Sequence, residues 1–348
     1  MNTTDPNTLA FPASRTGAAH VSMGHGAGGR LSSELFDEVI APRIGADTAA
    51  EDAAIVAVGD VGVVVSTDSF VVTPHEFPGG DIGSLAVHGT LNDVAMRGAR
   101  PLALTLAYIV EEGFPVAELA RITASAARAA EAAGVHIAAG DTKVVERGGA
   151  DGIYINTTGI GELLPDAVIT AAGADPGDVV LASGPIGRHG AAVLAAREGL
   201  EFDLESDSCA LAALVESMIE AAGRRVHVLR DATRGGIAAA LGGIARASGV
   251  GIELDDSAVT VPEPVAAVCE MLDIDPFHLA CEGTLIAVVA PDAADDVLTA
   301  MRERPEGGDA RLIGAVTASS AGRVTARSAA GAVRAVEMTL SERLPRVC

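Results

Sequence analysis

The chain ends on a cysteine. Leu344-Pro345-Arg346-Val347-Cys348 sets a thiol beside the α-carboxylate, and Pro345 keeps the approach from folding into a helix, because it fixes φ and lacks an N–H. A thiol on a chain end can travel between sites, since termini move unless tied down. That is the geometry of a carrier arm; the plainer alternative is a stray thiol, and no residues follow it to make a prenylation signal. Lys143 is equally telling. It is the only lysine among 24 basic residues, so the other 23 are arginine. A compact ammonium that changes its pKa on burial differs from a guanidinium. Lys143 lies in Gly140-Asp141-Thr142-Lys143, beside an acid in an expected turn, so the position is read as one that refuses arginine, against the alternative of codon bias with one survivor.

Asp52, Asp68, Asp93 and Asp141 each fall at the start or end of an expected element. Carboxylates converging there would suit Mg²⁺, which takes hard oxygen ligands and shares them with phosphates. Singly, each also reads as a cap or turn former, as Asp81 does. Asp231-Ala232-Thr233-Arg234-Gly235-Gly236 combines a cap, a hydroxyl, a guanidinium and two glycines at a helix start, where backbone N–H groups are unpaired; it reads as a phosphate or substrate cradle. Glu282, in Cys281-Glu282-Gly283-Thr284 before an apolar run, is a candidate base with a shifted pKa, or a turn residue. The glycine-rich run His25-Gly26-Ala27-Gly28-Gly29 precedes a helix with Leu31, Leu35 and Val39 on one face, and suits phosphate wrapping or a hinge. Cys209, Cys269 and Cys281 read as small core hydrophobes, and the histidines lack metal spacing.

The elements that must position these groups follow from length and pattern. At 348 residues two domains are expected, and 49% hydrophobic residues suffice for two cores. No apolar run reaches the roughly 18 residues that span a bilayer. The N-terminus has no signal-peptide pattern and the four cysteines stand singly, which points to a cytoplasmic protein without a disulfide framework. A formal charge of −23 argues against nucleic acid, but a polyphosphate can still bind through a divalent metal. Strands are expected at 53–58 and 61–66, joined by Gly59-Asp60, then at 102–110, 135–139, 152–160, 179–182, 285–290 and 312–316. Helices are expected after Asp81, at 116–133, 191–198, from the Asp231 segment to 248, and at 292–302. The break at 171–178 divides the chain into a disordered arm (1–20), an N-terminal domain (21–172), a C-terminal domain (173–338) and a mobile tail (339–348). Both halves read as α+β with mixed or antiparallel sheets.

These pieces in this order resemble the HypE family of hydrogenase expression/formation proteins, within the aminoimidazole-ribotide-synthetase-like superfamily. The carrying segments are the His25 loop, Thr67-Asp68-Ser69-Phe70, Phe77-Pro78-Gly79-Gly80-Asp81-Ile82-Gly83, Asn92-Asp93, the run from Gly140 to Arg147, the run from Asp231 to Gly236 and Pro345-Arg346-Val347-Cys348. The resemblance implies a homodimer whose N-terminal sheets join in a shared β barrel, with ATP bound near that interface. It implies that a carbamoyltransferase, HypF, loads Cys348 with a carbamoyl group, that ATP drives its dehydration to a thiocyanate, and that the cyano group passes to iron on a HypC–HypD scaffold complex. By the same resemblance Asp52, Asp68, Asp93 and Asp141 serve Mg²⁺. His25, Gly26, Gly28, Gly29, Asn92, Thr142, Asp231, Thr233, Arg234 and Gly235 hold ATP, and Lys143 and Glu282 act on the carbamoyl group. Glu51, Ala232, Cys281 and Val347 depart from the usual family pattern without removing a reactive group. Rival readings are a sister enzyme of the selenophosphate-synthetase or thiamine-monophosphate-kinase type, and an idle maturation scaffold. A selenophosphate synthetase should carry a reactive cysteine near the glycine loop, and none precedes Cys209; a kinase has no use for a carrier thiol at the terminus.

Overall fold

The computed structural model of the chain describes residues 20–44, 51–337 and 346–348. Almost all of the expected N-terminal arm and most of the expected tail lie outside the described residues. The chain divides into two compact units, one of Met1–Thr48 with Thr339–Pro345 and one of Ala49–Met338 with Arg346–Cys348. In the first, a 3-10 turn at Met23–Gly26 leads to helix α1 (Arg30–Leu35), a π turn at Phe36–Ile40 and α2 (Ala41–Ile44). The π turn adds a residue to the helical repeat, so the face expected for Leu31, Leu35 and Val39 is broken within it.

The second unit carries two main sheets. The first is built from β1 (Ala54–Val58), β2 (Val61–Phe70), β5 (Ala99–Glu111), β6 (His136–Val145) and β7 (Ile153–Leu163), in the order β1-β2-β7-β5-β6. A two-stranded ribbon of β3 (Glu76–Phe77) and β4 (Gly80–Asp81) precedes α3 (Ile82–Met96). Its pairs are antiparallel except β5 with β6, which run parallel because α4 (Val116–Ala132) carries the chain back over the sheet. Helix α3 is buried on nearly every side. It packs on β2, β5, β7 and α4, and also on β9 (Val226–Asp231) and α6 (Ala212–Ala222) of the C-terminal half. A helix buried on nearly every side is one shared between layers. Gly83 permits this, since a Cβ there would lie 2.3 Å from the Ile122 carbonyl oxygen.

The second sheet adds β8 (Val179–Ala182), β10 (Gly251–Asp255), β11 (Leu285–Val289), β12 (Arg311–Thr317), β13 (Val324–Arg327) and β14 (Val333–Ala335), in the order β14-β13-β10-β12-β8-β11-β9. Only β10 with β13 is parallel. One core joins sheet residues to α7 (Gly236–Ser248) through Ile237, Leu241 and Ile244. The other joins them to α6 and α9 (Ala294–Arg302) through Leu214, Met218, Val297 and Met301. Helices α5 (Arg188–Glu198) and α8 (Glu263–Leu272) pack on each other. The α+β class with mixed sheets is therefore as the pattern predicts. Among the described residues no helix is long and apolar enough to cross a membrane.

Two local expectations change. The strand expected to stop at Ala139 runs on to Val145, so Asp141, Thr142 and Lys143 stand in an edge strand and not in a turn. Gly140 allows it, because a Cβ there would meet the Leu106 carbonyl oxygen at 2.4 Å. Asp231 does not cap a helix: it closes β9, and Gly235 at φ +80° caps α7 instead.

Candidate active site

Asp81 caps α3, its carboxylate accepting from the N–H groups of Gly83 at 2.8 Å and Ser84 at 2.9 Å. The helix so fixed delivers Asn92 and Asp93 near its other end, Asp93 beside Ser66 of β2 and Asp231 of β9. Asp52, Asp93 and Asp231 offer carboxylate oxygens that all lie within 4.8 Å of one another. Ser66 donates to Asp93 Oδ2 at 2.7 Å, and Arg230 Nη2 lies 3.0 Å from Asp52 Oδ1. Glu51 points elsewhere, pairing with Arg97 at 2.8 Å and accepting the Ala171 N–H.

Burial and mutual repulsion set the electrostatics. Desolvation, only partly offset by Arg230, pushes Asp52 up to about 6. Asp231 rises to about 8, through burial first and then the charge of Asp52. Asp93 goes well above the usual carboxylate range, from burial and from Asp231, Asp52 and Asp68 around it. Burial raises Asp68 too, against the pull of Arg234. Glu282 is 2% exposed and far above its ordinary pKa, again by burial first and then by Asp231. Asp231 Oδ2 and Glu282 Oε1 are buried oxygens without a hydrogen-bond partner. Such an atom costs roughly 1–3 kcal/mol unless a proton or cation meets it. The donor set, hard oxygens crowded beyond what Arg230 neutralises, fits a divalent cation such as Mg²⁺.

The terminal cysteine belongs to this neighbourhood. Burial pushes the Cys348 thiol up, Arg234 draws it down, and Glu282, Asp68 and Asp231 add to the rise. Arg346–Cys348 is held along the chain that follows β2. Val71 N–H donates to a terminal carboxylate oxygen of Cys348 and Thr73 N–H to the Arg346 carbonyl, both at 3.3 Å. The other expected groups are placed differently. Asn92 donates to the carbonyls of Cys209 (3.0 Å) and Glu282 (3.3 Å) and accepts the Leu211 N–H (2.8 Å), so its amide braces the wall behind Glu282. Thr233 and Gly235 lie in the turn from β9 to α7, where the Thr233 carbonyl accepts the Gly236 N–H. Arg234 is exposed in the same turn. Asp141 and Lys143 pair with each other on β6, at 60% and 68% side-chain exposure, outside the carboxylate cluster, with Thr142 between them. In its own unit, His25 Nδ1 lies 3.0 Å from the Ser22 N–H and hydroxyl. Gly28, at φ +75°, donates to Ser32, and Gly29 caps α1; Gly26 ends the 3-10 turn.

Arg230, Ser66, His189 and Asp207 join the site without having been expected there. Arg230 carried a signal, being a charge inside an apolar strand directly before Asp231. Asp207 accepts the N–H of both His189 and Glu282 at 3.1 Å, an arrangement that no local pattern announces.

A family model for AIR synthase related proteins, N-terminal domain, matches residues 50–163, and the model for their C-terminal domain matches residues 175–327. The carbamoyl dehydratase HypE of Cupriavidus necator is 48% identical over 336 residues, covering 95% of this chain and 95% of that protein. A crystal structure of a HypE–HypF complex is similar with a TM-score of 0.83 at 47% identity, covering 88% of this chain and 99% of that one. The structure of hydrogenase maturation protein HypE in complex with ATP gives 0.80 at 43% identity, covering 94% of this chain and 100% of that one.

Proposed function

The chain belongs to the HypE family of carbamoyl dehydratases, within the AIR synthase related superfamily, and from that premise we propose how its own residues divide the reaction. The substrate is a carbamoyl group held as a thiocarbamate on the Cys348 sulfur. Its oxygen leaves poorly. Transfer of the ATP γ-phosphoryl group to that oxygen forms a C–O–P bond and releases ADP. Loss of both protons from nitrogen and departure of phosphate then leave a thiocyanate on sulfur, the source of a cyanide ligand for hydrogenase iron.

The observation that carries this reading is the terminal thiol among Glu282, Asp68, Asp231 and Arg234. Glu282 is the base for nitrogen: burial raises its proton affinity above that of an ordinary carboxylate, and the charge of Arg234 favours the ionised form that accepts a proton. Arg234 steadies the developing negative charge on the transferred group. Asp52, Asp93 and Asp231 would hold Mg²⁺, with Asp68 beside them. When bound, the metal screens the phosphate charges. The glycine loop containing His25, Gly26, Gly28 and Gly29 and the turn of Thr233 and Gly235 are assigned to ATP.

Asp141, Thr142 and Lys143 act in the paired state, in which two copies join their N-terminal sheets into one barrel. Exposed Ile55, Val56 and Val58 on β1 and Ile137 and Val144 on β6 support that pairing, since apolar edges invite a second sheet. There Lys143 polarises the carbamoyl oxygen. HypF is the partner that loads Cys348, as the HypE–HypF complex suggests, and a HypC–HypD complex receives the cyano group in the cytoplasm. Intact mass after incubation with HypF, carbamoyl phosphate and ATP tests the reading. A carbamoyl group gained on Cys348, then loss of one water, supports it. An unmodified Cys348 under conditions that load another HypE protein overturns it.

A further inference from the structure

The last three residues are gripped by side chains that the dehydration itself does not use. His189 is fully buried, at 0% exposure, and both ring nitrogens are engaged. Nδ1 lies 2.8 Å from Ser206 Oγ and Nε2 lies 2.5 Å from the Val347 carbonyl oxygen. A carbonyl only accepts, so Nε2 carries the proton and Nδ1 accepts from the Ser206 hydroxyl. Phe77 packs edge-on to the ring at 5.2 Å between centroids, and burial lowers the pKa, which keeps the imidazole neutral.

The neighbouring carbonyls are met in the same way. Arg197 Nη2 donates to the Arg346 carbonyl at 2.7 Å and to Thr73 O at 2.6 Å. With the two backbone bonds from Val71 and Thr73, each of the last three residues has a main-chain oxygen bonded. The Arg346 side chain closes the outside: Nε donates to Val71 O at 3.2 Å, Nη1 pairs with Asp151, and the guanidinium stands 6.0 Å from the Tyr154 ring centre. Arg346 has φ +63°, a left-handed conformation that is unfavourable for a non-glycine residue. Such strain persists where the surroundings over-determine it. Asp207 then ties the dock to the chemistry, since one of its oxygens accepts from the backbone of both His189 and Glu282.

We propose that His189 is a positioning residue for the dehydration: through its Nε2–H it fixes the Val347 carbonyl, and so sets Cys348 against Glu282, while Arg197 and the Arg346–Asp151 pair latch the tail from outside. The inference rests on the reading of Cys348 as the carrier. It makes the dock a recogniser of backbone carbonyls, with the Arg346 side chain paired to Asp151 and the Val347 side chain buried.

The test uses the full chain and two readouts. In H189L, mass-mapped alkylation of Cys348 by iodoacetamide should rise about tenfold, as a loss of about 1.4 kcal/mol from the docked state would give. Alkylation of Cys209, partly buried and with its thiol pushed up to about 12, should not change. In a time course with HypF, carbamoyl phosphate and ATP, the same variant should still load Cys348 yet lose water about a hundredfold more slowly. H189Q, whose amide N–H replaces Nε2–H, should recover most of that rate. D151A, changing a side chain 55% exposed, should release the tail to a smaller extent and keeps the test available if H189L does not fold. Dehydration by H189L at the normal rate, or a rise at Cys209 in step with Cys348, overturns the proposal. A normal chain whose Cys348 never takes a carbamoyl group overturns the carrier reading, and the dehydration role of His189 with it.

Discussion

Two acidic regions of this chain obey opposite rules. Around Asp52, Asp93, Asp231 and Glu282, burial dominates: carboxyls are pushed up by desolvation and by one another, and two of their oxygens have no partner. On the edge strand β6, Asp141 lies in solvent, and hydrogen bonds from Lys143 and the Thr142 N–H hold it below its ordinary value. The buried set is assembled within one chain from α3, β9 and the segments before β1 and β11, and it is short of positive charge. The edge set is contiguous in sequence but stands exposed among the described residues. A site can thus be short of charge or short of enclosure, and the two shortages call for different remedies, a cation in one case and a second surface in the other.

The largest expected effect is at the buried base. E282Q should keep the shape of the wall and slow loss of water by about 10²–10⁴-fold, with loading of Cys348 intact by mass; normal turnover would move the base to another residue. Next comes the edge. K143R preserves charge, so a dehydration rate reduced by at least about tenfold, or about 1.4 kcal/mol of barrier, would show that a compact ammonium is required there. Unaltered kinetics would make the single lysine incidental.

Stability should separate the regions by sign. Asp52 and Asp231 have folded pKa values near 6 and 8 against an ordinary 3.8, so the folded chain binds more protons than the unfolded one between those limits. Their contribution is fully present below about pH 4 and is lost as pH rises through 6 and then 8. The Tm of the metal-free protein should therefore decline over that window, and Mg²⁺ should flatten the decline; a Tm that climbs between pH 5 and 8 regardless of Mg²⁺ would contradict the repulsive cluster. D93N should raise the metal-free Tm by roughly 2–4 °C while weakening binding of Mg²⁺-ATP, as relief of like-charge crowding predicts. The smallest effect belongs to D141N, for which a melting curve should show no shift, because an exposed ion pair is screened by water.

What could be read in the chain was whatever a short window contains. Strand and helix periodicity placed β1, β8, α4 and α9 within a few residues, because burial on one face leaves a period in the sequence. The Asp81 cap was legible from an acid directly before an apolar helix. Cys348, Lys143, Glu282 and the Asp231 segment stood out by type and position, and the order of the motifs pointed to the HypE family, to which the chain belongs. Helices α6 and α8 and strands β10, β13 and β14 carried no distinct local signal, since alanine- and glycine-rich runs suit several folds and tertiary packing selects one. Only the fold decided that Asp231 joins Asp52 and Asp93, that Lys143 stands in a strand, that Asn92 braces a wall, and that a buried histidine holds the tail. Those facts depend on residues tens to hundreds of positions apart meeting in space. Carboxyl pKa values, tautomers and docked carbonyls are set by that meeting, through desolvation and distance, and not by the residues on either side along the chain.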